Sequence, residues 1–401
     1  MSTKQNTSRR NFLKSSIALP AAVASIPAST AIAAKAASSN ALPTRKLGAN
    51  GPEVSMLNLG GLMTAHSTNY MELAWKMGIR YFDTAFVYKK GQSERDVGAW
   101  VRKHPELRKE AFIVSKNYPR GGMHETAGKL DECLENMGVD YVDLYFIHAM
   151  GPKPYGEESL NWFKSDEMKK IFEDIKASGK AKMCGFSCHD ALLVDYLNAA
   201  ADGGFVDAIM FKYDPLMEKG SELDQAIQRC YDAGIGLIAM KTMRAFKKAP
   251  LTHPDLESSG LTMPTAVLKT IWSDKRMSSL CSAIENVQQM EENTEAARSF
   301  DKPIDVKKTL GELASLTDST MCPGCPSCAA WARKTEYAFQ DVSRYVMYYE
   351  HDGNREARDY FRSLSQAERS HAGVNLAQIS EDCSYNIDYA EIARRSEKYF
   401  A

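Results

Sequence analysis

The chain has 401 residues, 44% of them hydrophobic and 25% charged, with 25 Gly and 15 Pro. That balance excludes collagen-like, coiled-coil and wholly disordered chains, and the length allows two or three domains, or one barrel-sized domain with an addition. Fifty basic against 51 acidic side chains leave a net charge of −1, without the basic excess of a dedicated nucleic-acid binder.

Residues 1–37 read as an address. Arg9-Arg10 and Asn11-Phe12-Leu13-Lys14 precede an Ala-rich apolar stretch, and Ala31-Ile32-Ala33 and Ala34-Lys35-Ala36 offer small-residue cleavage sites. The apolar run is Pro-broken and shorter than the ~20 residues a spanning helix needs, and no later segment looks transmembrane. The paired arginines resemble a twin-arginine signal. The resemblance implies export of an already folded protein to the periplasm, with no membrane span in the mature chain.

From Gly51 to about residue 300, apolar runs alternate with helical patterns. The runs are Met56–Leu62, Tyr81–Ala85, Phe112–Lys116, Val142–His148, Lys182–Ser187, Val206–Tyr213, Gly236–Lys241 and Leu280–Ile284. Between the third and fourth, Leu130, Cys133, Leu134 and Met137 recur at i, i+3, i+4 and i+7, which predicts a helix over Thr126–Met137 with these four in the core. Eight strand–helix units over about 250 residues predict an α/β fold, a closed (β/α)8 TIM barrel. The alternative, a doubly wound sheet, wants a glycine-rich phosphate turn after its first strand, and Gly60-Gly61 lacks that pattern.

A barrel carries its site at the C-terminal ends of its strands. There the sequence places Asp83 with Tyr88, then Lys116, then His148. A lysine or histidine closing an apolar run leaves a half-buried charge that needs a partner. Asp83 is the natural partner for Lys116. A lysine beside a tyrosine favours the phenolate, so the pKa of Tyr88 is expected to fall into the range of a general acid at neutral pH. His148 can hydrogen-bond a substrate carbonyl. His189 is a candidate for the substrate pocket, and His124 reads as a surface residue. Tyr155, Trp162 and Phe163, in the loop after the fourth run, are either a pocket wall or simple packing.

Residues 43–300 resemble the aldo-keto reductase family. The likeness is carried by Arg45-Lys46-Leu47-Gly48, Val54-Ser55, Asp83-Thr84-Ala85, Tyr88, Gly91-Gln92-Ser93-Glu94 and Gln289-Met290-Glu291-Glu292-Asn293. It implies a barrel that moves a hydride between NADP or NAD and a small carbonyl or alcohol substrate. In it Tyr88 is the proton donor, Lys116 and Asp83 tune that donor, and His148 binds the carbonyl oxygen. The resemblance further implies that Ser187 holds the nicotinamide carboxamide, Lys241 and Arg244 meet the diphosphate, and Glu292 and Asn293 hold the adenine. Cys188 replaces an amide and Met240 an aromatic stacking residue. Gln289 stands where an arginine often grips the 2′-phosphate, which leaves open the choice between NADP and NAD.

After Asp301 the pattern changes, and residues 301–401 read as a separate, mainly helical module ending in a helix from Tyr389 to Tyr399. Its mark is Cys322-x-x-Cys325-x-x-Cys328, a spacing used for iron–sulfur ligation, although the local fourth position is Ala332. Cys383-Ser384-Tyr385-Asn386-Ile387-Asp388 resembles the tail of a second ferredoxin motif whose other positions, Gly373, Leu376 and Ile379, are not cysteines. The likeness implies a degenerate ferredoxin-like module with one [4Fe–4S] cluster on Cys322, Cys325, Cys328 and Cys383. A zinc site on the same thiolates, a disulfide, and a metal-free vestige stay open. Cys133, Cys184, Cys230 and Cys281 are expected to be buried, and Cys188 to line the pocket. The expected function is an exported oxidoreductase with a redox partner protein. The alternative is a non-catalytic or electron-transfer barrel.

Overall fold

A computed structural model describes residues 40–61, 67–301, 305–317, 320–325, 328–351 and 353–400. The export signal expected over residues 1–37 lies outside the described residues. Asn40–Ala401 forms one compact unit.

Two short strands, β1 (Thr44–Lys46) and β2 (Glu53–Ser55), pair as an antiparallel hairpin. Eight parallel strands follow: β3 (Leu57–Leu59), β4 (Tyr81–Asp83), β5 (Phe112–Asn117), β6 (Val142–Met150), β7 (Ala181–Cys188), β8 (Ala208–Lys212), β9 (Gly236–Met240) and β10 (Met277–Ser282). They hydrogen-bond in chain order, and β10 closes on β3, so the expected barrel is present and the doubly wound sheet is not. The strands match the apolar runs to within a few residues. The eighth starts at Met277, three residues before the expected Leu280, because Asp274 and Arg276 cap its entrance as an ion pair of 2.7 Å and the strand begins immediately after them.

Strand alternation sorts the side chains. Phe82, Ile113, Tyr145, Ile147, Phe186, Ile209, Phe211, Leu237 and Ala239 face outward into the layer shared with the helices. Tyr81, Phe112, Val114, Leu144, Phe146, Met183, Met210, Ile238 and Met240 fill the interior, and Leu47 and Val54 from the hairpin plug its lower end. The same period of two makes Asp83, Lys116, His148, Ser187 and Lys212 the last inward positions of their strands. These five polar inward positions thus sit at the upper mouth of the packed barrel.

The helix Thr126–Met137 has the expected limits. Leu130, Cys133, Leu134 and Met137 are all buried in the outer layer, each apolar side chain contributing roughly 1.5–3 kcal/mol. Gly138, with φ of 64°, ends the helix in the left-handed conformation that side chains with a Cβ avoid.

Beyond the barrel, the helix Lys307–Ser315 still packs Leu310 and Leu313 on the outer layer. The remaining helices, chiefly Phe339–His351, Ala357–Ser363, Leu376–Glu381 and Tyr389–Phe400, enclose a second apolar core. It contains Phe339, Val342, Val346, Phe361, Ile379, Ile392 and Phe400, together with Cys322, Cys328 and Cys383. The helix Phe339–His351 has two faces. Phe339, Val342 and Val346 point into this core, whereas Asp341, Arg344 and Tyr348, spaced i, i+3, i+7, fall on the opposite side.

Candidate active site at the barrel mouth

At the mouth, Lys116 Nζ lies 2.6 Å from Asp83 Oδ1 and donates to the Thr84 carbonyl, also at 2.6 Å. The same amine stands 5.2 Å from the centre of the Tyr88 ring. The ring of His148 meets Tyr88 edge-on at 5.8 Å and lies 4.6 Å from Tyr118. The four residues expected to carry the chemistry are therefore gathered in one place. The backbone around them is unusual. Lys89 and Lys90, just after Tyr88, Ala149, just after His148, and Lys241 all have φ between 48° and 56°. Non-glycine residues rarely take this conformation, and such strain concentrates at functional sites.

The electrostatics correct one expectation. The Tyr88 phenol is not lowered: burial, and next the charge of Asp83, hold it well above the ordinary tyrosine value. The ion pair neutralises most of the field that Lys116 alone would exert. Tyr88 is thus a neutral phenol at physiological pH, with its proton to give. His148 is held well below its ordinary value by burial and by Lys116, Lys241 and Arg120, so it is neutral as well. Its Nδ1 is buried without a hydrogen-bond partner. An orphaned polar atom in such a place calls for a ligand group.

Ser187 is buried, and its hydroxyl accepts from the Ala149 amide at 2.9 Å, so it ties the ends of β6 and β7 together. Asn293 reaches back from the helix Val287–Arg298 to Ser282, the last residue of β10, at 3.2 Å. Glu292 accepts from Gln288, and Gln289 from the Glu285 amide, each at 2.8 Å. These three residues lie along the first turns of one helix beside the mouth. Arg244 has a buried Nε with no partner, and its other described contact is the thioether of Met347 at 4.0 Å. Lys241 lies in the electrostatic reach of Tyr348, and burial lowers its pKa to about 8. Neither cation has a carboxylate partner among the described residues. Two unneutralised cations and an orphaned guanidinium N–H are what a nucleotide diphosphate would require.

Several groups at the mouth come from the C-terminal helices, which sequence reasoning did not connect to the barrel. Arg344 contacts His189 Nδ1 at 3.1 Å, and Asp341 pairs with Lys153 at 2.8 Å. Lys212, at the end of β8, is buried and donates to the His189 carbonyl at 3.3 Å. Lys212 was findable, since it ends an apolar run as Lys116 does. Asp341, Arg344 and Tyr348 carry only a weak signal, a polar stripe at helical spacing in an aromatic-rich segment. His189 also borders a cleft of about 610 Å³ between the loops after β6 and β7 and the C-terminal helices, lined among others by Lys153, Asp190, Arg333 and Gln340. His124 is exposed, as expected.

Other expectations need correction. Cys188 does not line a pocket: it is fully buried in the outer layer and its thiol meets the Met150 carbonyl at 3.3 Å. Of the two alternatives for Trp162 and Phe163, packing is the one present: both are core residues. Tyr155 is buried too, its hydroxyl on the His148 carbonyl at 2.5 Å, so it braces the histidine from behind. Cys133, Cys184 and Cys230 are buried as expected, while Cys281 is partly exposed and lies 3.9 Å from Asp83.

All nine cysteines are free thiols. Among the described residues no group of three or more His, Cys, Asp or Glu side chains is positioned to hold a metal ion, so the expected metal centre is not assembled here. The thiols are nonetheless neighbours. Burial and the charges of Cys322 and Cys325 push Cys328 up to about 12, and the Tyr389 hydroxyl, 3.4 Å from Cys322 Sγ, also feels Cys328 and Cys383. N–H groups point at sulfur: Gly324 at Cys322, 3.2 Å, and Gln340 at Cys328, 2.7 Å. Gly324, with φ of 70°, brings this loop down on the barrel mouth. A Cβ there would lie 3.0 Å from Arg244 and 3.1 Å from Lys212 Nζ.

Comparison with known proteins agrees with this arrangement. A sequence model of the Aldo/keto reductase family matches residues 55–258. Glyoxal reductase of Bacillus subtilis is 31% identical over 142 residues, 34% of this chain and 47% of that protein. Glycerol 2-dehydrogenase (NADP(+)) of Saccharomyces cerevisiae is 32% identical over 227 residues, 51% of this chain and 70% of that protein. Some of these curated relatives are thus matched over only about half of their length. The holo form of an aldo-keto reductase from Bacillus halodurans superposes with a TM-score of 0.54 at 18% identity, over 68% of this chain and 96% of that one, a likeness of fold. No helix among the described residues is long and apolar enough to cross a membrane.

Proposed function

Because the chain belongs to the aldo/keto reductase family, we propose that it reduces small carbonyl compounds, or oxidises the corresponding alcohols, with a nicotinamide nucleotide. The observation that carries this reading is the gathering of Tyr88, His148 and the Lys116–Asp83 pair at the barrel mouth. The names of the two curated relatives, a glyoxal reductase and a glycerol dehydrogenase, support small oxygenated substrates.

The nucleotide supplies the hydride. Ser187, Lys241, Arg244, Glu292 and Asn293 are the residues that would hold it, and two cations without a carboxylate partner among the described residues, one with an orphaned Nε, suit its diphosphate. With Gln289 in place of a guanidinium, we expect NADH and NADPH to serve comparably. His148 donates from a neutral ring to the carbonyl oxygen and fixes the carbonyl against the acid. Tyr88 gives its proton to that oxygen as negative charge develops on it, and Lys116 lies close enough to stabilise the phenolate left behind. Asp83 holds the Lys116 amine in place. The test is titration of the whole protein with NADPH, followed by nucleotide fluorescence, then turnover of short aldehydes. Absence of nucleotide binding refutes the reading. Tyr88→Phe should bind nucleotide as the parent does and lose carbonyl reduction.

The finer part of the proposal is an exported protein whose Cys322, Cys325, Cys328 and Cys383 hold a [4Fe–4S] cluster, an electron carrier that a redox partner could use. Export rests on the first 37 residues alone. The N–H groups aimed at sulfur and the buried amine of Lys212 beside them favour an anionic centre there. Absorbance near 400 nm that bleaches with dithionite, with iron and acid-labile sulfide in equal amounts, is the expected result. A colourless protein with one zinc would refute it.

A further inference from the structure

The turn that carries Tyr88 is held from behind. Just past Asp83 the chain keeps the alternation of β4, so Thr84 points outward, as does Ser115 on β5, one residue before Lys116. Both are fully buried in the layer behind the site. There they meet the start of the helix Gln92–Lys103, which follows Tyr88. The hydroxyls of Thr84 and Ser93 share a hydrogen bond of 2.6 Å, and the Ser115 hydroxyl donates to Glu94 Oε1 at 2.5 Å. The other oxygen of Glu94 accepts from Asn136 Nδ2 at 2.7 Å, and the same amide group donates to the Gly91 carbonyl at 2.9 Å. Asn136 stands on the helix Thr126–Met137, and its Oδ1 accepts from Arg95 at 3.0 Å.

Packing does not account for Glu94. Its side chain is fully buried, both oxygens are met by uncharged donors, and burial holds its carboxyl above the ordinary range. A carboxyl in such a place costs stability that an apolar residue would not. What it secures is geometry. Between Tyr88 and Glu94 the backbone turns sharply, with φ of 48° at Lys89, 53° at Lys90 and 82° at Gly91. The amides of Gly91 and Ser93 both donate to the Tyr88 carbonyl, at 3.1 and 3.3 Å. Such a turn persists only where its surroundings over-determine it.

We propose that Glu94 is a positioning residue for the proton donor: by tying Ser115 on the lysine strand and Asn136 on the neighbouring helix to the turn after Tyr88, it sets where the Tyr88 hydroxyl stands relative to Lys116. The inference rests on the reading of Tyr88 as the acid given above. Glu94 lies on the outer side of β5, away from the mouth, so it acts through Tyr88 and Lys116 rather than on the reacting atoms.

The test compares Glu94→Ala and Glu94→Gln in the full-length protein, with thermal melts to check folding. Alanine removes both ties. Glutamine keeps the shape, and can accept from Asn136 while its own amide donates to the Ser115 hydroxyl. With NADPH and a short aldehyde, Glu94→Ala should lose about 10- to 100-fold in kcat, the scale of an ångström's misplacement at a reacting centre. Its KM and its NADPH affinity should stay within about two-fold of the parent, and Glu94→Gln should recover most of the lost kcat. The solvent deuterium isotope effect on turnover should rise in Glu94→Ala, because a displaced donor slows proton transfer, whereas a loss of folded protein would leave it unchanged. In a Tyr88→Phe background, adding Glu94→Ala should remove nothing further from the residual turnover. If Glu94→Ala does not fold, Ser115→Ala, which cuts one tie only, is read by the same isotope effect and the same background. An unchanged isotope effect, a glutamine no better than alanine, or equal losses with and without the Tyr88 hydroxyl overturns the positioning role, while loss of turnover in Tyr88→Phe still identifies the acid. Full turnover by Tyr88→Phe overturns that assignment and the positioning role with it.

Discussion

Lys116 and Asp83 form an ion pair of 2.6 Å with side chains only 2% and 1% exposed. At that depth removing one partner costs more than the pair contributes, because the remaining charge is stranded. Asp83→Asn should lower unfolding free energy by about 3–5 kcal/mol and abolish turnover together. Lys116→Met should cost similarly, since burial alone already raises the pKa of Asp83 and Lys116 is what offsets it. The double substitution should be milder than the sum of the singles, a coupling that urea titrations of all four proteins would reveal. Additive losses would mean that the pair does not act as a unit.

The neutral state of Tyr88 sets the pH profile of carbonyl reduction. Its pKa is raised, so the protonated donor form is fully present through neutral pH and is lost only above the ordinary tyrosine range. The rate of reduction should therefore not fall with a midpoint near 7. His148, held low, should remain neutral well below its ordinary value, so no loss of rate from its protonation is expected at pH 6.5. Tyr88→Phe should reduce kcat by about 10²–10⁴, the usual contribution of a positioned acid. A profile that breaks near pH 7 would contradict this assignment.

Gly324 ties the cysteine loop to the barrel, and replacing it is a direct probe of that junction. Its φ of 70° penalises any side chain, and a Cβ would press within about 3 Å of Arg244 and Lys212. Gly324→Ala should cost about 1 kcal/mol in backbone terms alone, and more if the two cations are displaced. If the loop carries a cluster, iron content should fall in parallel. Melting curves and iron analysis of the same preparation check both, and a variant as stable as its parent would show that the loop can stand away from the barrel.

Much of this was legible in the residues, for identifiable reasons. Barrel strands are buried on both faces, so they appear as continuous apolar runs, and a polar, titratable residue ending such a run, Lys116 or His148, stands out against that background. The helix Thr126–Met137 carries its own periodicity and a glycine stop. The start of β10 was misread because Met277 and the two serines after it do not form an apolar run, although Arg276 and Asp274 fix where it begins. The state of Tyr88 was misjudged because a sequence shows that Lys116 is near but not that Asp83 neutralises it at 2.6 Å. The helix face with Arg344 was missed because its meaning depends on docking onto His189, more than 150 residues earlier in the chain, which no local pattern encodes.

The docking of that helix should itself be acid-sensitive. Burial acts upward on Asp341, but Arg344 and Lys153 hold it down to about 2. Its folded pKa is thus below the unfolded carboxylate value near 4, so its contribution to stability is fully present above that value and is lost as pH falls towards 2. With a side chain 17% exposed, the contribution should be on the order of 2 kcal/mol, from about 1.4 kcal/mol per pKa unit with allowance for screening. Asp341→Asn should therefore be destabilised by that amount at pH 7 and by only about a third of it at pH 2.5. Lys153→Ala removes a partner that is 31% exposed, and should cost less than about 1 kcal/mol, shrinking further in high salt. Urea titrations across this pH range decide the matter: a gap between Asp341→Asn and parent that stays constant down to pH 2.5 would mean that the carboxylate's charge does not hold the helix on the mouth.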